Sequence, residues 1–66
     1  MVLKVIEILA SSTESWEDAA NNAVQEASKS VRGIRSINIS NQSAIIEDGK
    51  ISEFRINCKI SFEIER

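Results

Sequence analysis

Few side chains in this protein could do chemistry, and their types narrow what that chemistry is. There is no His and a single Cys, Cys58. A Ser-His or Cys-His nucleophile pair and the common zinc-ligand sets are therefore excluded within one copy. No Gly-rich phosphate loop and no G-x-S-x-G elbow occurs. What remains is carboxylates and guanidinium groups set among apolar residues. Arg35 follows Gly33-Ile34, and Glu53, Arg55, Lys59, Glu63 and Glu65 occupy alternate positions near the end. Groups in that pattern can anchor an anionic ligand or share a hard cation. A carboxylate pair doing acid–base work would also need a concave pocket, which a lone small sheet does not offer. The residue types argue for binding and against catalysis.

The elements that position these groups are legible from periodicity. Val2 to Leu9 is rich in β-branched residues and reads as a first strand, ended by Ser11-Ser12-Thr13. Lys4 and Glu7 fall on opposite parities, which predicts apolar burial on both faces of this strand, as for one that meets another subunit. Ser15-Trp16-Glu17-Asp18 fits a capping box. Trp16, Ala19, Ala20, Ala23, Val24, Ala27 and Val31 then recur at helical spacing up to Gly33, which predicts a helix over 15–32. Ile34 to Ile46 reads as a second strand, with a bulge or bend expected at Asn41-Gln42-Ser43. Asp48-Gly49 is a hairpin turn signal. In the third strand Phe54, Ile56, Cys58, Ile60, Phe62 and Ile64 share one parity and polar residues take the other, giving one apolar and one wet face. On this pattern Trp16 and Cys58 are packing residues, and Cys58 is an inert thiol.

The expected fold is α+β: a single β-α-β-β domain over residues 1–66, with one helix on a three-stranded antiparallel sheet. A strand of about thirteen residues extends roughly 40 Å, against roughly 26 Å for a helix of about seventeen. The strands should overhang the helix, and uncovered apolar strand surface in a small protein is an expected subunit interface. Size points the same way. A 66-residue, 7.3 kDa chain buries only about 60% of the surface its unfolded form exposes, and it has no second Cys for a disulfide. Self-association is the remaining remedy.

Composition excludes other partners. A net charge of -2 leaves no basic excess for nucleic acid. No apolar run approaches the roughly 20 residues that span a bilayer, and the alternating N-terminal segment does not resemble a signal peptide. The expected compartment is the cytoplasm.

Taken in order, three segments resemble the dodecin family. They are Lys4-Val5-Ile6-Glu7-Ile8 with Ser11-Ser12 and Ser15-Trp16-Glu17-Asp18-Ala19; then Val31-Arg32-Gly33-Ile34-Arg35; then Asp48-Gly49-Lys50-Ile51 with Phe54-Arg55-Ile56 and Ser61-Phe62-Glu63-Ile64-Glu65. The resemblance covers nearly the whole chain. It implies a sheet wrapped around the helix, a hollow homododecamer, and non-enzymatic storage of a flavin such as riboflavin or FMN. In flavin-binding members a Trp on the second strand stacks on the flavin ring, and a Gln on the third hydrogen-bonds its polar edge. This chain has Ser36 and Arg55 at those positions, so Arg35, Ser36 and Arg55 are the family-equivalent ligand residues.

The two departures matter. Aromatic stacking is worth about 1–3 kcal/mol, and a Ser hydroxyl supplies none of it. Arg55 has only donors, although its charge can still pair with an anionic group. Flavin stacking is expected to be weakened or lost. The start of the chain also resembles the calcium-binding branch of the family, which lacks the stacking Trp. Calcium takes six to eight oxygen ligands, and a threefold axis could bring one carboxylate from each of three subunits together. Glu7, Glu53, Glu63 and Glu65 are the metal candidates, with Glu47 and Asp48 also available.

Overall fold

Ser15 starts the only helix among the described residues because its extended backbone leaves its hydroxyl free to accept from the Asp18 N–H, at 2.9 Å. The computed structural model describes residues 1–64, and in it β1 spans Leu3–Ser12, α1 Trp16–Ser28, β2 Ile34–Glu47 and β3 Lys50–Glu63. The reciprocal half of the capping box is rearranged. Asp18 Oδ2 accepts from Ser12 Oγ at 2.6 Å, and Ser12 Oγ in turn accepts from the N–H groups of Glu14 and Ser15. One buried serine thus joins the end of β1 to the start of α1.

The helix stops at Ser28, four residues short of the expected 15–32 span. Ser28 Oγ donates back to Val24 O, and the N–H groups of Ser30 and Val31 both turn onto Ala27 O. Hydroxyl back-bonding of this kind competes with the helix ladder in its last turn. Gly33 is consequently not the helix cap. Its positive φ of 73° starts β2, its carbonyl accepts from the Glu63 N–H at 2.9 Å, and a Cβ there would lie 3.2 Å from Glu63 O. β1 runs further than expected, through Ser12, because β3 offers it a partner at every position down to Phe54.

The sheet order is β1-β3-β2, fully antiparallel, so β3 is the central strand. β2 joins it through Asp48 and Gly49, both at positive φ, the signature of a type I′ hairpin. Register shifts leave Arg35 and Ser40 as extra residues in β2 and Ser52 as an extra residue in β3. The Ser40 bulge sits one residue before the expected polar break. Bulges increase local twist, which curves the long hairpin about the helix.

The core is thin. Ala19, Ala23 and Ala27 are buried along α1 against Ile56, Cys58 and Ile60 of β3, with Ile6, Ile8, Ala10, Ile34 and Ile37 packed around them. Alanines allow close approach but contribute little area each. Trp16 is a packing residue, its ring edge-on to Phe54 at 4.9 Å and its Nε1–H donating to Ser43 O.

Cys58 is wholly buried, its thiol directed at Ile8 O, and desolvation raises its pKa above the ordinary 9.0. The folded thiol therefore holds its proton where the unfolded one loses it. This contribution to stability is intact below pH 9 and declines as pH rises through and beyond that value. Thiol reagents are expected to label Cys58 only as fast as the protein opens, which a comparison of labelling rates in buffer and urea measures. Rapid labelling of the native protein would contradict the burial.

Candidate functional site

Register places two distinct faces on this sheet. One packs on α1. The other carries Glu53, Arg55, Asn57, Lys59, Ser61 and Glu63 of β3, flanked by Ser11, Leu9, Glu7, Val5 and Leu3 of β1 and by Ser43, Asn41, Asn38 and Ser36 of β2. The polar parity of the third strand is thus one continuous surface. β1 contributes an apolar margin to it, since Leu3, Val5 and Leu9 are 47, 55 and 77% exposed. A single copy covers only the helix-facing side of β1. The second apolar face expected of that strand is present and open.

The expected ligand residues do not gather at one point. Ser36 lies opposite Ser61, and their hydroxyls hydrogen-bond across the strands. Arg35, the bulged residue beside it, donates to Glu63 at 2.8 Å, an ion pair within one subunit. Arg55 lies opposite Ser11 and Ser43. Six β3 residues separate the two levels, roughly 20 Å of strand.

The carboxylates are equally dispersed. Glu7 is exposed opposite Lys59, Glu53 is opposite Ile45, and Glu63 is engaged by Arg35. Glu47 and Asp48 are exposed at the hairpin turn, and Glu65 lies outside the described residues. No group of three or more His, Cys, Asp or Glu side chains comes together among the described residues. A calcium ion therefore cannot be satisfied by the described carboxylates of one subunit.

A concave feature does form around Arg55. It is a half-open cleft of about 420 Å³ with Leu9 and Ser11 on the β1 side, Asn41 and Ser43 on the β2 side, and Glu53, Arg55 and Asn57 along its floor. Asn57 Oδ1 is buried there with no hydrogen-bond partner. Sequence reasoning placed Asn57 on the wet parity and gave it no role. A polar side chain in mid-strand was the available signal, but only the position of β3 between two other strands makes that oxygen inaccessible.

Comparison with known proteins decides the family. Residues 2–65 match the sequence model of the family described as Dodecin. The chain belongs to the dodecin family. It is 42% identical over 64 residues to calcium dodecin of Mycobacterium tuberculosis, an alignment spanning 96% of this chain and 89% of that protein. A crystal structure of the M. tuberculosis calcium dodecin, described as calcium-chelating with a novel calcium-binding site, superposes with TM-score 0.83 at 41% identity, covering 98% of this chain and 93% of that one. Dodecin from Streptomyces coelicolor superposes with TM-score 0.93 at 26% identity, over 98 and 93% of the two chains. The β-α-β-β architecture is the dodecin fold. The dodecin's helix is too short and polar to cross a membrane, and no described helix does so.

Proposed function

We propose that this dodecin is a non-enzymatic, cytoplasmic protein that assembles into a homododecamer and holds a small ligand at sites between subunits, with flavin stacking lost. One observation carries the reading. By resemblance, Ser36 and Arg55 correspond to positions that contact the flavin in other family members, and the register puts them six β3 residues apart on one subunit's sheet. A ligand touching both must lie between two copies. The uncovered apolar residues of β1, together with Ile46 and Ile51 beside the hairpin turn, supply surface for such an assembly.

Calcium is the second reading, favoured by the 42% identity to a protein named calcium dodecin. It needs symmetry copies of Glu7, Glu53, Glu63 or Glu65 to meet. Glu63 would first have to leave Arg35.

Two titrations separate these readings. Riboflavin fluorescence is expected to stay unquenched by the native protein at micromolar concentrations. The Ser36→Trp, Arg55→Gln double variant is expected to quench it, because it restores a stacking ring and a neutral amide. Calcium should release or absorb heat on titration, and EDTA should lower the melting temperature, if carboxylates converge at an axis. Strong quenching by the native protein would overturn the loss of stacking, and an EDTA-insensitive melt with no heat would remove calcium.

A further inference from the structure

The hairpin turn places a reactive pair of groups at the far end of the sheet. Asp48 and Gly49 are both exposed, and both hold positive φ, 52° and 75°. The Asp48 carboxylate forms no ion pair among the described residues, and the Gly49 N–H donates to no partner among them. Even a Cβ at Gly49 would meet nothing within 4 Å, so the approach to its nitrogen is open. An electrophilic carboxyl carbon and an unengaged amide nitrogen are thus one residue apart. What holds them out of line is the turn itself, closed by the Glu47–Lys50 pair at the last step of the ladder. Ends of elements open locally at the least cost. Asp18, the other Asp of the chain, differs in each respect. It precedes Ala19 in the first turn of α1, and its carboxylate accepts from the buried Ser12 Oγ.

We infer that Asp48–Gly49 is a site of spontaneous isoaspartate formation, and that the conversion unseats the end of the β2–β3 hairpin. When the turn opens, the Gly49 nitrogen attacks Cγ of the protonated Asp48 carboxyl. The new C–N bond closes a cyclic imide, and the carboxyl OH leaves with the amide proton as water. Water then adds at the main-chain carbonyl of the imide and the original peptide C–N bond breaks. The chain now continues through Cβ and Cγ, with a free α-carboxylate beside it. Both steps are redox-neutral, and water is the only co-reactant. The product carries an extra carbon in the main chain of a two-residue loop. Turn type and loop length set hairpin register, so the Ile46–Ile51 pair beside the turn is the first to lose its alignment. This chemistry needs neither a ligand nor an assembly and is independent of the ligand reading.

The purified protein is aged at body temperature and neutral pH. Isoaspartate is then assayed by methylation with an isoaspartyl methyltransferase and labelled S-adenosylmethionine, and tandem mass spectrometry locates it. Label is expected to rise with time and to map to Asp48, with none at Asp18. Two variants keep the turn, because Gly-Gly and Asn-Gly suit the same type I′ geometry as Asp-Gly. Asp48→Gly should lose the label at this position completely. Asp48→Asn, whose amide expels ammonia more readily, should gain it several-fold faster. In the isomerised fraction, hydrogen exchange should quicken over residues 44–54 and stay unchanged in α1. Three results would overturn the inference: no isoaspartate at Asp48 after ageing that converts an unfolded control peptide of residues 44–54, equal label at Asp18, or native exchange in the isomerised fraction.

Discussion

A Val5→Asp variant is expected to lose the large particle entirely, where the native chain should run near twelve times its 7.3 kDa mass in size-exclusion chromatography with light scattering. In an isolated subunit the change should be mild. Val5 is 55% exposed on the side of β1 away from the helix, opposite Ser61, and touches none of the buried core. A large effect is expected because this face would be covered in the proposed assembly. Leu3, Val5 and Leu9 alternate along one side of a strand whose other side already packs on α1. Covering that face with another copy would remove apolar area worth about 25 cal/mol per Å², and a carboxylate in the same place would be buried unpaired at a cost of several kcal/mol. Closed symmetry repeats the penalty in every copy. Val5→Ala, which only shortens the side chain, should weaken assembly without abolishing it. If Val5→Asp keeps the native mass, β1 is not an interface strand.

What the sequence made legible follows from where each residue's environment is decided. The alternation of Phe54 to Phe62 predicts the buried Ile56, Cys58 and Ile60, because a period of two is a local property that any sheet partner reads in the same way. The alanine spacing of α1 likewise predicts Ala19, Ala23 and Ala27. The end of the helix was not legible. Val31 continued the apolar period and Gly33 resembled a cap, but Ser28 and Ser30 diverted the last hydrogen bonds and released Gly33 to meet Glu63. That contact joins positions thirty residues apart, beyond the reach of any local pattern.

The candidate site divides along the same line. Arg35, Ser36 and Arg55 were candidates by resemblance. Their separation was not legible, since it depends on the β1-β3-β2 order and on the Arg35 and Ser40 bulges. The resemblance implies that Ser36 and Arg55 contact one ligand, whereas the register sets them about 20 Å apart on one chain. The two would be compatible if two subunits built the site, as proposed above. The burial of Asn57 Oδ1 is decided only by the strands on both sides of it.

Ile60→Ala is expected to unfold the subunit under conditions where the native protein is folded, as read by urea titration at fixed protein concentration. Ile60 is fully buried at a level where β3 meets Ile6 of β1 and Ile37 of β2, beneath the alanine ridge of α1. Truncating a buried Ile costs about 2–5 kcal/mol, and a domain of this size has only about 3–5 kcal/mol from its core. The alanine ridge brings the helix close to the sheet, and rigid strands on both sides leave little freedom to collapse into the void, so the upper part of that range applies. Ile60→Val, at about 0.5–1.5 kcal/mol, should stay folded. The same strand that directs Ile60 inward directs Lys59 and Ser61 outward, with Arg55 and Asn57 further along, so core and polar face share one backbone. Assembly complicates the measurement in an informative way, because a subunit stabilised by its neighbours has an unfolding midpoint that rises with protein concentration. For Ile60→Ala that dependence should steepen, as copies become the main source of stability. An Ile60→Ala midpoint equal to the native one would mean that β3 is not the element on which both faces depend.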